Sequence, residues 1–422
     1  MLVVEADTKG RPNIIIIVAD DMGYGDPSCY GGWINTPNID SLAAEGLKFT
    51  DFHSSGAVCS PTRAGLLTGR YQQRSGIDGV ITAAAHRHLG LQPHEITLSK
   101  LLKGEGYATA VFGKWHLGYD TKFNPVRHGF DKFIGYVAGN VDYISHVDQT
   151  GCSDWWEGDT LVEEPGYVTH LVTKHSVDFI HEHKHRPFLL YVAHEAPHYP
   201  YQGPNDKADR TVGGTFPAYG SREDQKEAYR EMVEEMDKGI GDIIEALKQN
   251  DLDENTLIIF FSDNGGVPIG SNGPLRGYKN ELWEGGHRVP AIVRWSGHIK
   301  PGTLCDEPVI SIDIMPTVLE LCSRDIPHGL RLDGVSIAAL LLDSKPVAPR
   351  TLFWENGNQH AVREGNWKLV LHAKGLDGGI GLYDLSNDLN EQYNKAEQCP
   401  ELVSELHQKL NEWIQDVHKD RL

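Results

Sequence analysis

Several short runs along the 422-residue chain are apolar and β-rich: Asn13–Ala19, Ala108–Phe112, Phe188–Ala193, Leu257–Phe261 and Ala291–Arg294. They lack the polar alternation of a half-exposed strand, which predicts strands buried on both faces, as in parallel sheets. Between them the period lengthens to that of helices. Glu223–Lys248 sets Met232, Met236, Ile240, Ile243, Ile244 and Leu247 on one face, and Ser221 with Asp224 three residues later predicts a capped start. Val168–Glu182 and Ile314–Cys322 also read as helices. The alternation predicts the α/β class, a large α/β/α sandwich around a mainly parallel sheet. After about residue 335 the texture changes. Arg350–Glu355, Gln359–Arg363, Trp367–His372 and Gly381–Leu385 predict short strands, and Glu401–Val417 a closing helix. The expected organisation is an α/β domain over 1–340 and a smaller C-terminal antiparallel sheet with a helix over 341–422.

Charge narrows the partners. The balance of 39 basic against 59 acidic residues gives −20, which argues against nucleic acid, since phosphate binding needs a basic face. An anionic ligand is still allowed, because charges beyond roughly 8 Å are screened at physiological salt. It would need a local cluster of cations. No run approaches the roughly 20 apolar residues of a membrane span. Met1–Pro12 mixes acids with Lys9-Gly10-Arg11 and does not read as a signal peptide, so the chain is cytoplasmic or trimmed. The six cysteines (29, 59, 152, 305, 322 and 399) form no CxxC pair, which argues against zinc clusters and a dense disulfide scaffold. A bridge such as Cys305–Cys322 stays open.

Parallel sheets gather ligands at the carboxyl ends of their strands. Four such ends carry polar groups: Asp20-Asp21, Gly113-Lys114-Trp115-His116, His194-Glu-Ala-Pro-His198 and Asp263-Asn264-Gly265. Each set alone has a bland reading as a turn or helix cap. Together they offer hard oxygen donors suited to Ca²⁺ or Mg²⁺ rather than zinc. The segment Cys59-Ser-Pro61-Thr-Arg63-Ala-Gly-Leu-Leu-Thr-Gly69-Arg70 is the most specific. Pro61 predicts a helix start, so Cys59 would lie at a helix N-terminus, with Arg63 one turn on. A buried structural cysteine and a reactive thiolate remain alternatives on these residues alone.

Cys59-x-Pro61-x-Arg63 with Ala64–Arg70 resembles the signature of the formylglycine-dependent (type I) sulfatases of the alkaline phosphatase superfamily. The resemblance implies that Cys59 is oxidised to an aldehyde by a formylglycine-generating enzyme. It implies a Ca²⁺ site, with Mg²⁺ possible, made of Asp20, Asp21, Asp263, Asn264 and modified residue 59. Lys114 and His116 match the family's Gly-Lys-Trp-His-Leu-Gly motif, His198 its Pro-His-x-Pro histidine and Lys279 the lysine before Trp-Glu-Gly-Gly. Implied roles are a hydrated aldehyde attacking sulfur beside Arg63, lysines clamping the sulfate, His198 protonating the leaving alcohol and His116 deprotonating the second hydroxyl. His194 is expected in a supporting position near His198. An arylsulfatase of broad specificity is the alternative, as is a phosphonate monoester or phosphodiester hydrolase. A non-catalytic glycan-binding scaffold is the alternative of another class.

Gly135-Tyr136-x-x-Gly139-x-x-Asp142-Tyr143-x-Ser145-His146 is similar to the N-acetylgalactosamine-4-sulfatases and some carrageenan sulfatases. That implies 4-O-sulfated galactose or N-acetylgalactosamine in carrageenan or glycosaminoglycan as substrate. A loop merely packed by Tyr136 and Tyr143 is the plainer reading. Trp155 and Trp156 are candidates to stack on sugars. The resemblance also implies a periplasmic, lysosomal or secreted enzyme with a trimmed leader.

Overall fold

The computed structural model describes residues 11–419; the expectation about a leader falls on residues outside them. A ten-stranded sheet forms the body. From edge to edge its order is Thr303–Cys305, Leu47–Phe49, Ala291–Arg294, Thr256–Ser262, Asn13–Ala19, Phe188–Ala193, Ala108–Lys114, Lys132–Tyr136, Trp156–Glu157 and Thr160–Leu161. Asn13–Ala19 is central and pairs in parallel with both neighbours, Ile16 lying opposite Tyr191 and Ile259. Ala291–Arg294 is antiparallel to its neighbours, because the chain leaves Thr256–Ser262 and re-enters at the same end without a crossover.

The continuous apolar runs have two cores to serve. Ile14, Ile16 and Val18 enter one, with Leu66, Leu98 and Met315; Ile15, Ile17 and Ala19 enter the other, with Ile39, Val172 and Met232. Helices therefore cover both faces of the sheet. The helix Gln225–Gln249 buries every apolar position predicted for its inner face. Its start differs from expectation: the helix begins four residues after Ser221, whose hydroxyl bonds Asp209, and Asp224 pairs with Arg222 at 2.7 Å. All six cysteines are free; the Cys322 sulfur accepts from the Tyr107 hydroxyl at 3.2 Å.

Thr351–Asn356, Gln359–Glu364, Trp367–Leu371 and Ile380–Asp384 form a separate antiparallel sheet, and Pro400–Val417 packs on it through Leu406, Leu410 and Trp413. A buried charged junction ties this sheet to the body. Arg363 reaches Asp51 at 2.6 Å, and Lys368 reaches Glu284 at 2.8 Å, Glu391 at 2.9 Å and His287 at 3.1 Å. His53 and His287 share a hydrogen bond of 2.9 Å between their Nδ1 atoms.

Candidate active site

The four strand ends do meet. Asp20 and Asp21 leave Asn13–Ala19, Lys114 ends Ala108–Lys114, His198 follows Phe188–Ala193, and Asp263 and Asn264 follow Thr256–Ser262. The wholly buried helix Cys59–Thr68 brings Cys59 and Arg63. Lys279, partly exposed, enters from a later loop. The backbone is strained here: Asp21 and His116 hold φ of 67° and 57°, a left-handed conformation that non-glycine residues adopt uncommonly. Gly113 is required by crowding, since a Cβ would lie 2.1 Å from the Ala193 carbonyl oxygen at a φ of 98°. Gly139 lets its loop close over His116, whose Nε2 would sit 2.8 Å from an added Cβ.

Opposite charges interleave. Arg63 donates through Nε and Nη2 to Asp263 Oδ2 at 3.0 and 2.8 Å, and through Nη1 to the Lys114 carbonyl and the Tyr191 hydroxyl, both at 3.3 Å. Lys114 contacts Asp20, and Lys279 lies 2.6 Å from Asp21 and 3.3 Å from the Cys59 sulfur. Cys59 Sγ is 3.6 Å from Asp20 Oδ1, and His198 Nε2 is 3.7 Å from Asp21 Oδ2. Asp20, Asp21, Cys59 and His198 form a compact group in which each offers a donor atom within 4.8 Å of the others. Asp21 Oδ2 and Asn264 Oδ1 are buried there without a hydrogen-bond partner.

Electrostatics separate the groups. Burial, reinforced by Asp20, pushes Asp263 up to about 6 although Arg63 touches it. Burial is the largest influence on Asp21 and opposes its ionisation, but Lys279, His198 and the Asn264 hydrogen bond together outweigh it and hold that carboxyl well below the usual range. Burial pushes the Cys59 thiol up to about 12 despite Lys114 and Lys279, which argues against the reactive-thiolate reading. Burial, then Lys279, holds His198 well below the ordinary histidine value. Its Nδ1 faces the Tyr199 carbonyl at 2.7 Å, so the neutral ring keeps its proton there and leaves Nε2 bare. Burial, then Lys114 and Arg63, depresses His116 as well; its Nε2 donates to the Ile81 carbonyl at 3.0 Å, leaving Nδ1 as an unpartnered base.

The second compact His/acid group, His53, Glu284 and His287, lies in the junction and already holds the Lys368 ammonium against Glu284 and His287. Its charges are balanced without a metal.

His194 is buried with neither ring nitrogen hydrogen-bonded, and it does not belong to the compact donor group of Asp20, Asp21, Cys59 and His198. Trp155 is buried and stacks on His146 with centroids 4.5 Å apart, so neither offers a sugar-stacking face. The Gly135–His146 loop is packed as its plainer reading expects, with a supporting part in the site. Tyr143 donates to the His198 carbonyl at 3.0 Å, and Asp142 accepts from Asp209 and Arg210 N–H groups at 2.7 and 2.9 Å, knitting two loops together. Sequence reasoning missed Tyr191, hidden in an apolar strand. It also missed Asp26, which accepts from Gly23 and Ser271 N–H groups at 2.7 and 2.8 Å and fixes the loop after Asp21. Neither carried a motif signal.

The chain is similar to known proteins over nearly its whole length. The family model described as Sulfatase matches residues 12–323, and that described as N-sulphoglucosamine sulphohydrolase, C-terminal, matches 278–416. The chain is similar to arylsulfatase G of Rattus norvegicus, 31% identical over 97% of this chain and 87% of the relative. It is also similar to N-acetylgalactosamine-6-sulfatase of Homo sapiens, 34% identical over 82% of this chain and 69% of the relative. Among solved structures, Ps i-CgsB superposes with a TM-score of 0.85 at 30% identity, over 96% of this chain and 92% of its own. The fold and relatives define a sulfuric ester hydrolase. The chain belongs to the sulfatase family.

Proposed function

We propose that this sulfatase hydrolyses sulfate esters of carbohydrates through a formylglycine made from Cys59 and a bound divalent metal. The expected substrate is 4-O-sulfated galactose or N-acetylgalactosamine in a carrageenan or glycosaminoglycan. The observation that carries the reading is the buried meeting of three carboxylates, an Asn oxygen, two lysines and an arginine around residue 59, two of whose oxygens have no partner. The carbohydrate part is supported by the similarity to N-acetylgalactosamine-6-sulfatase and to Ps i-CgsB, which has also been solved in complex with k-i-k-neocarrahexaose. Every proposed site residue precedes position 340, which assigns the chemistry to 1–340 and a supporting part to 341–422.

The residues present fit a hard cation. Asp21 Oδ2 and Asn264 Oδ1 are free to ligate, and Asp263, pushed up to about 6 by burial and Asp20, would be relieved by positive charge. Asp20, Asp21, Asp263, Asn264 and residue 59 would hold Ca²⁺ or Mg²⁺, which supplies positive charge where negative charge develops beside residue 59. An aldehyde at position 59, once hydrated, offers one hydroxyl to attack sulfur and a second to expel sulfate. Cys59 is 1% exposed on a wholly buried helix, so a formylglycine-generating enzyme must act before the chain folds.

The chain's own groups divide the remaining work. Lys114 and Lys279 reach the residue-59 position from two elements and clamp sulfate oxygens, stabilising charge that grows as the S–O bond to the sugar breaks. Arg63 fixes Asp263. His198 presents Nε2 on the Asp21 side. Burial and Lys279 keep it neutral here, and the negative charge of a bound ester, set among the same lysines, offsets them so that Nε2 takes up the proton it gives to the departing alcohol. His116, neutral and with a bare Nδ1, accepts a proton from the second hydroxyl. Peptide mass spectrometry of residue 59 together with sulfate release from defined oligosaccharides tests the proposal. Aldehyde at position 59 and sulfate release are expected; full activity with an unmodified thiol overturns it.

A further inference from the structure

We infer that Tyr199 and Tyr219 form a stacking wall for an uncharged pyranose face, the ring carrying the scissile sulfate. The inference rests on the carbohydrate-sulfatase reading and adds the recognition of the sugar itself. A cavity of about 450 Å³ opens directly on Asp21 and Lys279, a size suited to a small organic ligand. Tyr199, Tyr201 and Tyr219 line it from the segment that follows His198, and Pro268 and Ile269 line it from the loop after Thr256–Ser262.

The three rings are mutually braced. Tyr199 and Tyr219 meet edge to face at 4.9 Å, and Tyr201 lies parallel to Tyr219, 8° apart in plane. Tyr219 is 57% exposed, a large apolar surface left toward solvent. Its backbone is nonetheless fixed: its carbonyl accepts from Tyr201 N–H at 3.0 Å, and two residues on Ser221 N–H donates to Asp209 at 2.8 Å. An exposed aromatic on an anchored turn offers ring area at little ordering cost. The C–H face of a pyranose is the complementary surface, and Gln225 and Asn280 supply polar edges for its hydroxyls. The Tyr199 ring also lies 4.3 Å from the His198 ring, so a sugar held on this wall sits beside the proposed proton donor. Lys279, already committed to the scissile sulfate, is the sole cation lining this cavity among the described residues, so the wall favours a ring without a second sulfate.

The test uses full-length enzyme, k-i-k-neocarrahexaose, its desulfated counterpart, and inorganic sulfate as an inhibitor. Tyr219→Ala should weaken binding of the desulfated hexaose about tenfold, the scale of one good stacking contact, while the sulfate inhibition constant stays within about twofold. Tyr219→Phe, which keeps the ring, should bind within about twofold of the parent. Unchanged hexaose affinity in Tyr219→Ala, or equal losses in the Ala and Phe variants, overturns the stacking wall. A parent enzyme that releases sulfate from no oligosaccharide overturns the carbohydrate reading instead, and the two failures are told apart by that release assay.

Discussion

Two buried clusters of charge lie in this molecule, and they differ in whether the protein satisfies them. In the junction, Asp51 meets Arg363 and Arg288, and Glu284 meets Lys368 and Arg288. Opposite charges alternate across the seam between body and small sheet; Glu391 alone is pushed up, to about 7, by burial. At the strand ends, three carboxylates crowd together, Asp263 is pushed up to about 6, and two ligand-type oxygens have no partner. Burying such atoms costs on the order of 1–3 kcal/mol each when nothing binds them. A fold that tolerates that cost at the carboxyl ends of its strands, beside two strained residues, has built a place for something else. The first cluster ties body and small sheet together; the second is the one proposed above to serve the chemistry.

The largest effect that sharpens this contrast is on activity. Cys59→Ala and Asp21→Ala should each lower kcat by about 10⁴–10⁶, the range for loss of a catalytic unit. His198→Ala comes next. Loss of a general acid should cost about 10²–10⁴ on a sulfated sugar, whose alkoxide leaves poorly, and much less on a nitrophenyl sulfate. Equal losses on the two substrates would show that His198 has another role. His116→Ala, by contrast, should slow both substrates alike.

Junction variants should invert the pattern. Lys368→Met leaves Glu391 buried without its cation and Glu284 with Arg288 but not Lys368, and should cost about 3–5 kcal/mol of stability, while the folded fraction keeps its kcat. A denaturant melt of the single variant and of Lys368→Met/Glu284→Leu measures it, the double variant recovering part of the loss. A Lys368→Met protein of parental stability would break the comparison.

The smallest effect concerns pH. His128 and His194 are both pushed down to about 3 by burial. Unfolding frees them to bind protons below about 6.5, so stability present above that value is lost as pH falls toward 3. Each should cost roughly 2 kcal/mol at pH 5 relative to pH 7. Melts of His194→Leu should show a shallower acid slope than the parent; an identical slope would place the sensitivity elsewhere.

The sequence exposed the site far better than its surroundings. Asp20, Lys114 and Asp263 lie at the ends of strands whose apolar runs are unmistakable, and His198 follows another such strand by five residues, so topology alone pointed to their convergence. Cys59 and Arg63 came with a helix start marked by Pro61. The body sheet and the small antiparallel sheet were legible from the change in period. What stayed hidden depends on pairing between distant segments. Lys368 and Glu284 are 84 positions apart and look like ordinary surface charges until the sheet docks. Ser221 resembled a cap because nothing in its neighbourhood announced Asp209 as its partner. Trp155 looked like a sugar platform and Tyr219 did not, since exposure of an aromatic in a loop is set by packing rather than by neighbours in the chain.

The unsatisfied cluster is proposed as a metal centre and the satisfied one is not. Calorimetric titration of Ca²⁺ into chelator-stripped enzyme tests it most directly, run on the parent, Asp21→Ala and Glu284→Gln, each first checked for a folded circular dichroism spectrum. One equivalent should bind the parent and Glu284→Gln, and none should bind Asp21→Ala. Undiminished binding in Asp21→Ala, or its loss in a folded Glu284→Gln, would contradict the assignment.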